Sequence, residues 1–159
     1  MGAGLSSLSH EIAIEHVEAR QLAAVHRRLR PNEIAGEWRP ALDQVWAYLR
    51  ARPGLRDGGH NVFVYREPER RDEPLELDFG VEVARRFEPD GEVAPAATPG
   101  GEVAWTTAES PAAIGEAGAA IDAWCVANGR TPTGTSWEIY GDPDPVTNTV
   151  AVQVCRLLA

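Results

Sequence analysis

The sequence predicts an α+β fold: duplicated strand-helix-strand-strand units forming one antiparallel sheet, with two helices on one face and a pocket between the halves. Three observations predict it. Apolar residues recur at helical spacing in two separated stretches, alternating strand-like segments flank each of them, and "VFVYREPE" (62–69) aligns with "WEIYGDPD" (137–144). The alignment matches Tyr65 to Tyr140, Glu67 to Asp142 and Pro68 to Pro143. The pseudo-repeats run over about 19–86 and 101–158, within a domain spanning 10–159. A groove belongs near the pseudo-twofold axis, where the two helices fail to meet.

Taken in order, residues 11–29 alternate around Glu18 and Ala19 and predict two strands. Pro40 is expected to open the first helix, with Leu42, Val45, Trp46 and Leu49 as its buried stripe and an end before Pro53-Gly54. "NVFVY" (61–65) is a strand, and "LELDFGVEVA" (75–84) alternates with Leu75, Leu77, Phe79, Val81 and Val83 inward. Their neighbours Glu76, Asp78 and Glu82 are expected to make the other face of the sheet solvated and acidic. The prolines and glycines of 88–101 predict a flexible connection between the halves. "EVAWTTA" is then a strand, Ser110-Pro111 supplies a cap and first turn, and Ile114, Gly118, Ile121, Trp124 and Cys125 form a second helical stripe ending at Gly129. "SWEIYG" and "NTVAVQVCRLL" are strands joined by an Asp-Pro-Asp-Pro turn.

Composition excludes several chemistries. The chain has 159 residues, 43% of them hydrophobic, and all fifteen basic residues are arginine. Without lysine there is no Schiff base, no P-loop phosphate site and no Ser-Lys dyad. A net charge of −9 disfavours direct nucleic-acid binding and favours cationic or neutral partners. No apolar run matches a membrane span, and the start lacks the pattern of a secretion signal, so the expected location is cytoplasmic, with no membrane partner. Gly2 and Ser6 match a loose myristoylation pattern, but a disordered segment over 1–9 is the expected reading. Cys125 and Cys155 read as buried core thiols. His10 and His16 on one strand would lie ~20 Å apart, too far for one metal, so neither metal nor cofactor is expected. Hydrolase, metalloprotease and dinucleotide motifs are absent.

The chemistry therefore falls to Glu138, a carboxylate inside an otherwise apolar strand, at the repeat position held by Phe63. A carboxylate in an apolar setting costs several kcal/mol unless paired, so it demands a partner. Two accounts are open: an internal ion pair with an arginine such as Arg28 or an ordinary solvated edge position, or a cation supplied by a ligand. In the second, Tyr65, Tyr140, Trp105, Phe63 and Trp38 supply aromatic walls, with cation–π contacts of ~0.5–2 kcal/mol. Trp46 and Trp124 sit on the helix stripes and are assigned to the core, whereas Trp38, just before the first helix, and Trp105 either line a cavity or pack. Gly115 and Gly118 either open space beside the sheet or permit close packing. Both faces of 137–140 are apolar apart from Glu138, so which face meets the helices is open.

The duplicated order, the Trp46-x-x-Leu49 helix and the Glu138–Pro143 strand end resemble the GyrI-like family over about residues 10–158. This effector-binding domain is also found attached to AraC-type and MerR-type multidrug-responsive regulators of bacteria. The resemblance implies that Glu138 lies at the floor of a hydrophobic, aromatic-lined pocket between the halves and, with Tyr140, engages cationic lipophilic compounds. About nine residues precede the first strand, so no DNA-reading segment is expected, and the chain is read as acting alone or through a protein partner. It is read as a stand-alone multidrug-binding protein for bulky, planar, lipophilic, often cationic small molecules. Some stand-alone members hydrolyse cyclopropane-bearing DNA alkylators, which would make Glu138 a catalytic base or water-positioning group beside Tyr140 or Trp105. Others are named for inhibiting DNA gyrase, which would make the chain's acidity a mimic of DNA charge.

Overall fold

The computed structural model describes residues 10–159. The expectations of disorder over 1–9 and of the pattern at Gly2 fall outside the described residues. Eight strands form one antiparallel sheet in the order β1-β6-β8-β7-β3-β4-β2-β5. They are β1 (Ala13–Val17), β2 (Gln21–Leu29), β3 (Asn61–Arg66), β4 (Leu75–Glu82), β5 (Val93–Ala97), β6 (Gly101–Ala108), β7 (Pro132–Pro143) and β8 (Val150–Leu158). Helix α1 (Ile34–Arg50) follows β2 and α2 (Ile114–Ala127) follows β6. The order β2-α1-β3-β4 thus recurs as β6-α2-β7-β8, and the two units meet where β3 pairs with β7. Among the described residues no helix is long and apolar enough to cross a membrane.

Phe63 and Glu138, equivalent in the repeat, are direct partners across that central pair. A twofold exchange of the halves maps the pair onto itself, so the pseudo-axis runs through it. Following partners outward gives one row across the sheet: Val93, Val25, Phe79, Phe63, Glu138, Val154 and Thr106. This row lies under the helices. On one side Phe63, Phe79 and Val25 pack against Leu42, Val45 and Leu49 of α1; on the other Val154 packs with Ile121 and Cys125 of α2. Each fully buried aliphatic or aromatic side chain contributes roughly 1.5–3 kcal/mol. Glu138 is the sole charge in the row.

Helix α1 starts earlier than Pro40, because another proline opens it. Pro31 begins a 3-10 turn (Pro31–Glu33), closed by the Glu33 carboxylate accepting from the Arg30 N–H at 2.8 Å, and the helix continues from Ile34. Pro40 lies inside the helix, where its missing N–H leaves the carbonyl of exposed Gly36 to solvent. Trp38 is therefore a helical residue, one turn after Ile34 and one before Leu42. Helix α2 is entered in the same way, through a 3-10 turn beginning at Pro111 and then Ile114, with no side-chain cap from Ser110. It ends on Gly129 (φ 64°), whose left-handed backbone lets the Arg130 N–H return to the Cys125 carbonyl at 2.9 Å.

Two further expectations change. The connection 88–101 contains β5, an edge strand paired with β2. An edge tolerates Pro95 because one side of the strand needs no donor. The face opposite the helices is also not simply solvated. Three residues, 18–20, connect β1 to β2, and three, 98–100, connect β5 to β6. A flat sheet would hold β1 and β2, six strand spacings apart, about 29 Å from each other. The connection reaches about 15 Å at most. The sheet therefore curls until its ends meet, and the two connections bond to each other: Arg20 N–H to Thr98 Oγ1 (2.9 Å) and Thr98 N–H to the Arg20 carbonyl (3.1 Å).

The curl encloses a second apolar cluster of Leu22, Ala24, Val62, Val64, Val103, Trp137 and Cys155. Alternation along β4 alone could not disclose it, because the other strands supply these residues. Gly80 leaves room there: a Cβ would come 2.9 Å from the Ala23 carbonyl. Asp78, expected in water, is only 7% exposed and accepts from His26 Nδ1 (2.8 Å) and an Arg66 guanidinium nitrogen (2.9 Å). Burial opposes charge on His26, but its hydrogen bonds to Asp78 and Glu76 outweigh that and raise its pKa. Both cysteines are buried and free, Cys125 on the inner face of α2 and Cys155 within the curl. Burial pushes the Cys155 thiol up to about 12.

Candidate functional site

Strand parity decides which residues meet beneath the helices. Glu138 and Tyr140 point to the helix face and Trp137 to the enclosed face, because Trp137 pairs with Cys155 and Val64 while Glu138 pairs with Val154 and Phe63. Tyr65 and Tyr140, equivalent in the repeat, approach the axis from its two sides. Both donate to the same oxygen, Glu138 Oε1, at 2.8 Å from Tyr65 and 2.7 Å from Tyr140.

These residues floor a cavity of about 650 Å3 between the helices, of a size that accepts drug-like molecules. Its walls include Trp38 and Leu42 of α1, Ile114 of α2, Phe63 and Val150. Phe63 is the hub beneath it: its ring lies 6.1 Å from Trp38, 5.2 Å from Tyr140 and 5.0 Å from Phe79, edge-on to the last. Past Glu138 and Tyr65 a second cavity of about 530 Å3 opens, with Ser136, Glu67 and Arg156 among its lining. Glu138, Tyr65, Ile34 and Ile114 border both spaces.

Among the described residues no guanidinium pairs with Glu138. Arg28 is engaged by Glu76 (3.0 Å), and Arg156 by Asp122 of α2 (3.1 Å). Gly118 makes the latter possible, since a Cβ there would fall 2.6 Å from the Arg156 guanidinium. Burial holds the Glu138 carboxyl above the usual range; the hydroxyls of Tyr140 and Tyr65, and the more distant charge of Arg156, draw it partly back. Burial, with the Glu138 charge beside them, raises both tyrosine hydroxyls well above their ordinary value, so they remain protonated donors.

The structure thus brings together five of the six residues singled out from the sequence: Glu138, Tyr140, Phe63, Tyr65 and Trp38. Trp105 requires a correction. Its partners are Ala13 and Cys155, which puts it on the face away from the cavity, and its indole N–H donates to Glu15 at 2.6 Å. Parity along β6 excludes it from the site. Trp46 packs at the edge of the α1 core with its N–H on Asn61 Oδ1 (2.9 Å), and Trp124 packs against the α2 cluster. Ile34, Ile114 and Arg156 complete the surroundings. The signal for the first two was present as Pro31-Asn-Glu-Ile34 and Pro111-Ala-Ala-Ile114, a second repeated motif.

A curled antiparallel sheet with paired helices over an acid-floored cavity defines a small-molecule-binding type of α+β domain. A family model for the GyrI-like small molecule binding domain matches residues 10–154, and the chain belongs to that family. Comparison with curated proteins returns no match. Among solved structures, the C-terminal domain of EcmrR is similar with a TM-score of 0.74 at 14% identity, covering 94% of this chain and 98% of that one. SAV2435, solved with bound tetraphenylphosphonium, is similar with a TM-score of 0.71 at 12% identity, covering 94% of each chain. A hydrolase from Listeria innocua has a TM-score of 0.55 at 11% identity, covering 94% of this chain and 92% of that one. EcmrR in its complex with DNA is also similar (TM-score 0.74, 14% identity), and the match spans 99% of this chain and 62% of that one.

Proposed function

We propose that the chain binds bulky, planar, lipophilic compounds, many of them cationic, in the cavity above Glu138, which supplies the counter-charge. One observation carries this reading. A carboxylate held among apolar and aromatic groups is hydrogen-bonded by two neutral hydroxyls and, among the described residues, paired with no guanidinium, Arg156 acting only from a distance, so most of its charge is left for something from outside. Capture of tetraphenylphosphonium by SAV2435 supports it by analogy. The volume and the four aromatic rings support planar or bulky ligands of several shapes, which is what multidrug binding requires.

A thermal-shift comparison of lipophilic cations with neutral analogues of the same size tests it. At a hundred times Kd a ligand adds about 2.7 kcal/mol to stability, which raises Tm by roughly 5–10 °C for a chain of this size. Cations are expected to give that rise and neutral analogues much less; equal shifts for both would remove Glu138 from the reading. Substitution separates wall from bystander. Trp38→Ala is expected to weaken cation binding by about 3- to 30-fold through lost stacking and cation–π contact. Trp105→Phe should change it less than about twofold, given its face of the sheet. Fluorescence titration of a cationic dye reads both, and a larger loss for Trp105→Phe would overturn the assignment.

A further inference from the structure

We propose that the cavity selects, among lipophilic cations, those with an N–H donor at the charged centre, such as protonated amines and protonated ring nitrogens, over permanent cations that have none. This rests on the receptor reading above and sharpens its ligand class. The supporting observation is how hydrogen bonds divide between the two carboxylate oxygens of Glu138. Tyr65 and Tyr140 both donate to Oε1, and among the described residues no donor reaches Oε2. Each hydroxyl has one proton, so neither tyrosine can serve the second oxygen while it serves the first.

The nearest candidate for that role is Arg156, the diagonal neighbour of Glu138 across β7 and β8, and it is turned away. Asp122 accepts from its Nε at 3.1 Å, and the missing side chain of Gly118 gives the guanidinium its slot against α2. Oε2 is not sealed off from solvent either, since it is absent from the buried unpartnered polar atoms. The two cavities that Glu138 borders leave Oε2 open to solvent in the ligand-free protein. A flat apolar ligand that fills the larger cavity displaces that solvent, and its own chemistry then decides the outcome. An N–H at the charged centre replaces the lost hydrogen bond with a charge-assisted one. A methylated or fully arylated centre leaves the lone pairs of Oε2 unpaired in a site that has just been dried, which offsets part of its Coulombic attraction.

The dye acridine orange, protonated at its ring nitrogen, and its ring-N-methyl derivative form a matched pair of equal charge and nearly equal shape. Fluorescence titration of the full chain at neutral pH is expected to show the protonated dye binding at least about tenfold more tightly. In Glu138→Gln the amide oxygen keeps the tyrosine bonds and the amide NH2 takes the place of Oε2, so the ratio should fall to about one or invert. If both dyes bind the wild type equally, or the methylated one binds better, while Glu138→Gln weakens both, donor selection is wrong and the cation receptor survives. If neither dye binds, both readings fall. The comparison on wild type stands by itself even if the variant does not fold.

Discussion

Glu138→Gln is expected to lower affinity for a lipophilic cation by about 10- to 100-fold and to leave that for a neutral analogue within about threefold. The substitution keeps shape and acceptor oxygen, so Tyr65 and Tyr140 can still donate. What it removes is a charge in a partly desolvated cavity, where an attraction is worth several times its value in water, or about 1.5–3 kcal/mol net for a charged contact. The same change should not destabilise the ligand-free protein. Burial already works against the carboxylate, as its raised pKa shows, and an amide avoids that cost. A melting temperature equal to or above wild type, together with lost cation binding, is the expected pair of results. Isothermal titration with the cation and its neutral analogue, alongside thermal melting, measures both. Equal loss for the two ligands would mean that Glu138 shapes the cavity and does not attract charge.

Much of this site was legible before the fold was known, because the repeat and the strand period are both properties of the chain. Aligning Phe63 with Glu138 found the axis: equivalent residues that face each other must straddle it. Tyr65 and Tyr140 followed, two residues further along each strand on the same side. Trp105 failed for a definite reason. Its strand alternates, but which parity faces the helices depends on pairing with β8, and an apolar strand buried on both sides gives no sign of it. The enclosed cluster around Trp137 and Cys155 escaped for a related cause. Its residues come from several strands, and only the topology, with β1 tied to β2 by three residues, requires the curl that buries them. Helix α1 began early because Pro31 and Pro40 both look like openers, and the Arg30–Glu33 capping pair chooses between them. The solvated-face expectation was too broad in the same way: β4 contributes acids to that face while its neighbours fill the middle of it.

Replacing both hydroxyls, Tyr65→Phe with Tyr140→Phe, is expected to move the pH dependence of cation binding to higher pH than in wild type. Only the ionised carboxyl attracts a cation. In the wild type burial pushes the Glu138 pKa up while the two hydroxyls hold it down, and the balance remains raised. Each hydrogen bond to the charged form is worth about 1.5 kcal/mol, or about one pKa unit. Removing both takes away two of the interactions that favour the charged form, so the carboxyl should rise further and be protonated over a wider pH range than in wild type. Tetraphenylphosphonium, whose charge does not titrate, then serves as the probe: its affinity should recover as pH rises, with the midpoint at higher pH than that of wild type. Stability moves in the opposite direction. A carboxyl whose folded pKa exceeds its unfolded value binds a proton on folding, so its contribution is fully present below the unfolded pKa and is lost as pH rises through the folded one. In the double variant that loss should extend to higher pH, visible as a falling melting temperature across the window where binding recovers. Coincident binding midpoints for variant and wild type would show that the tyrosines do not control the ionisation of Glu138.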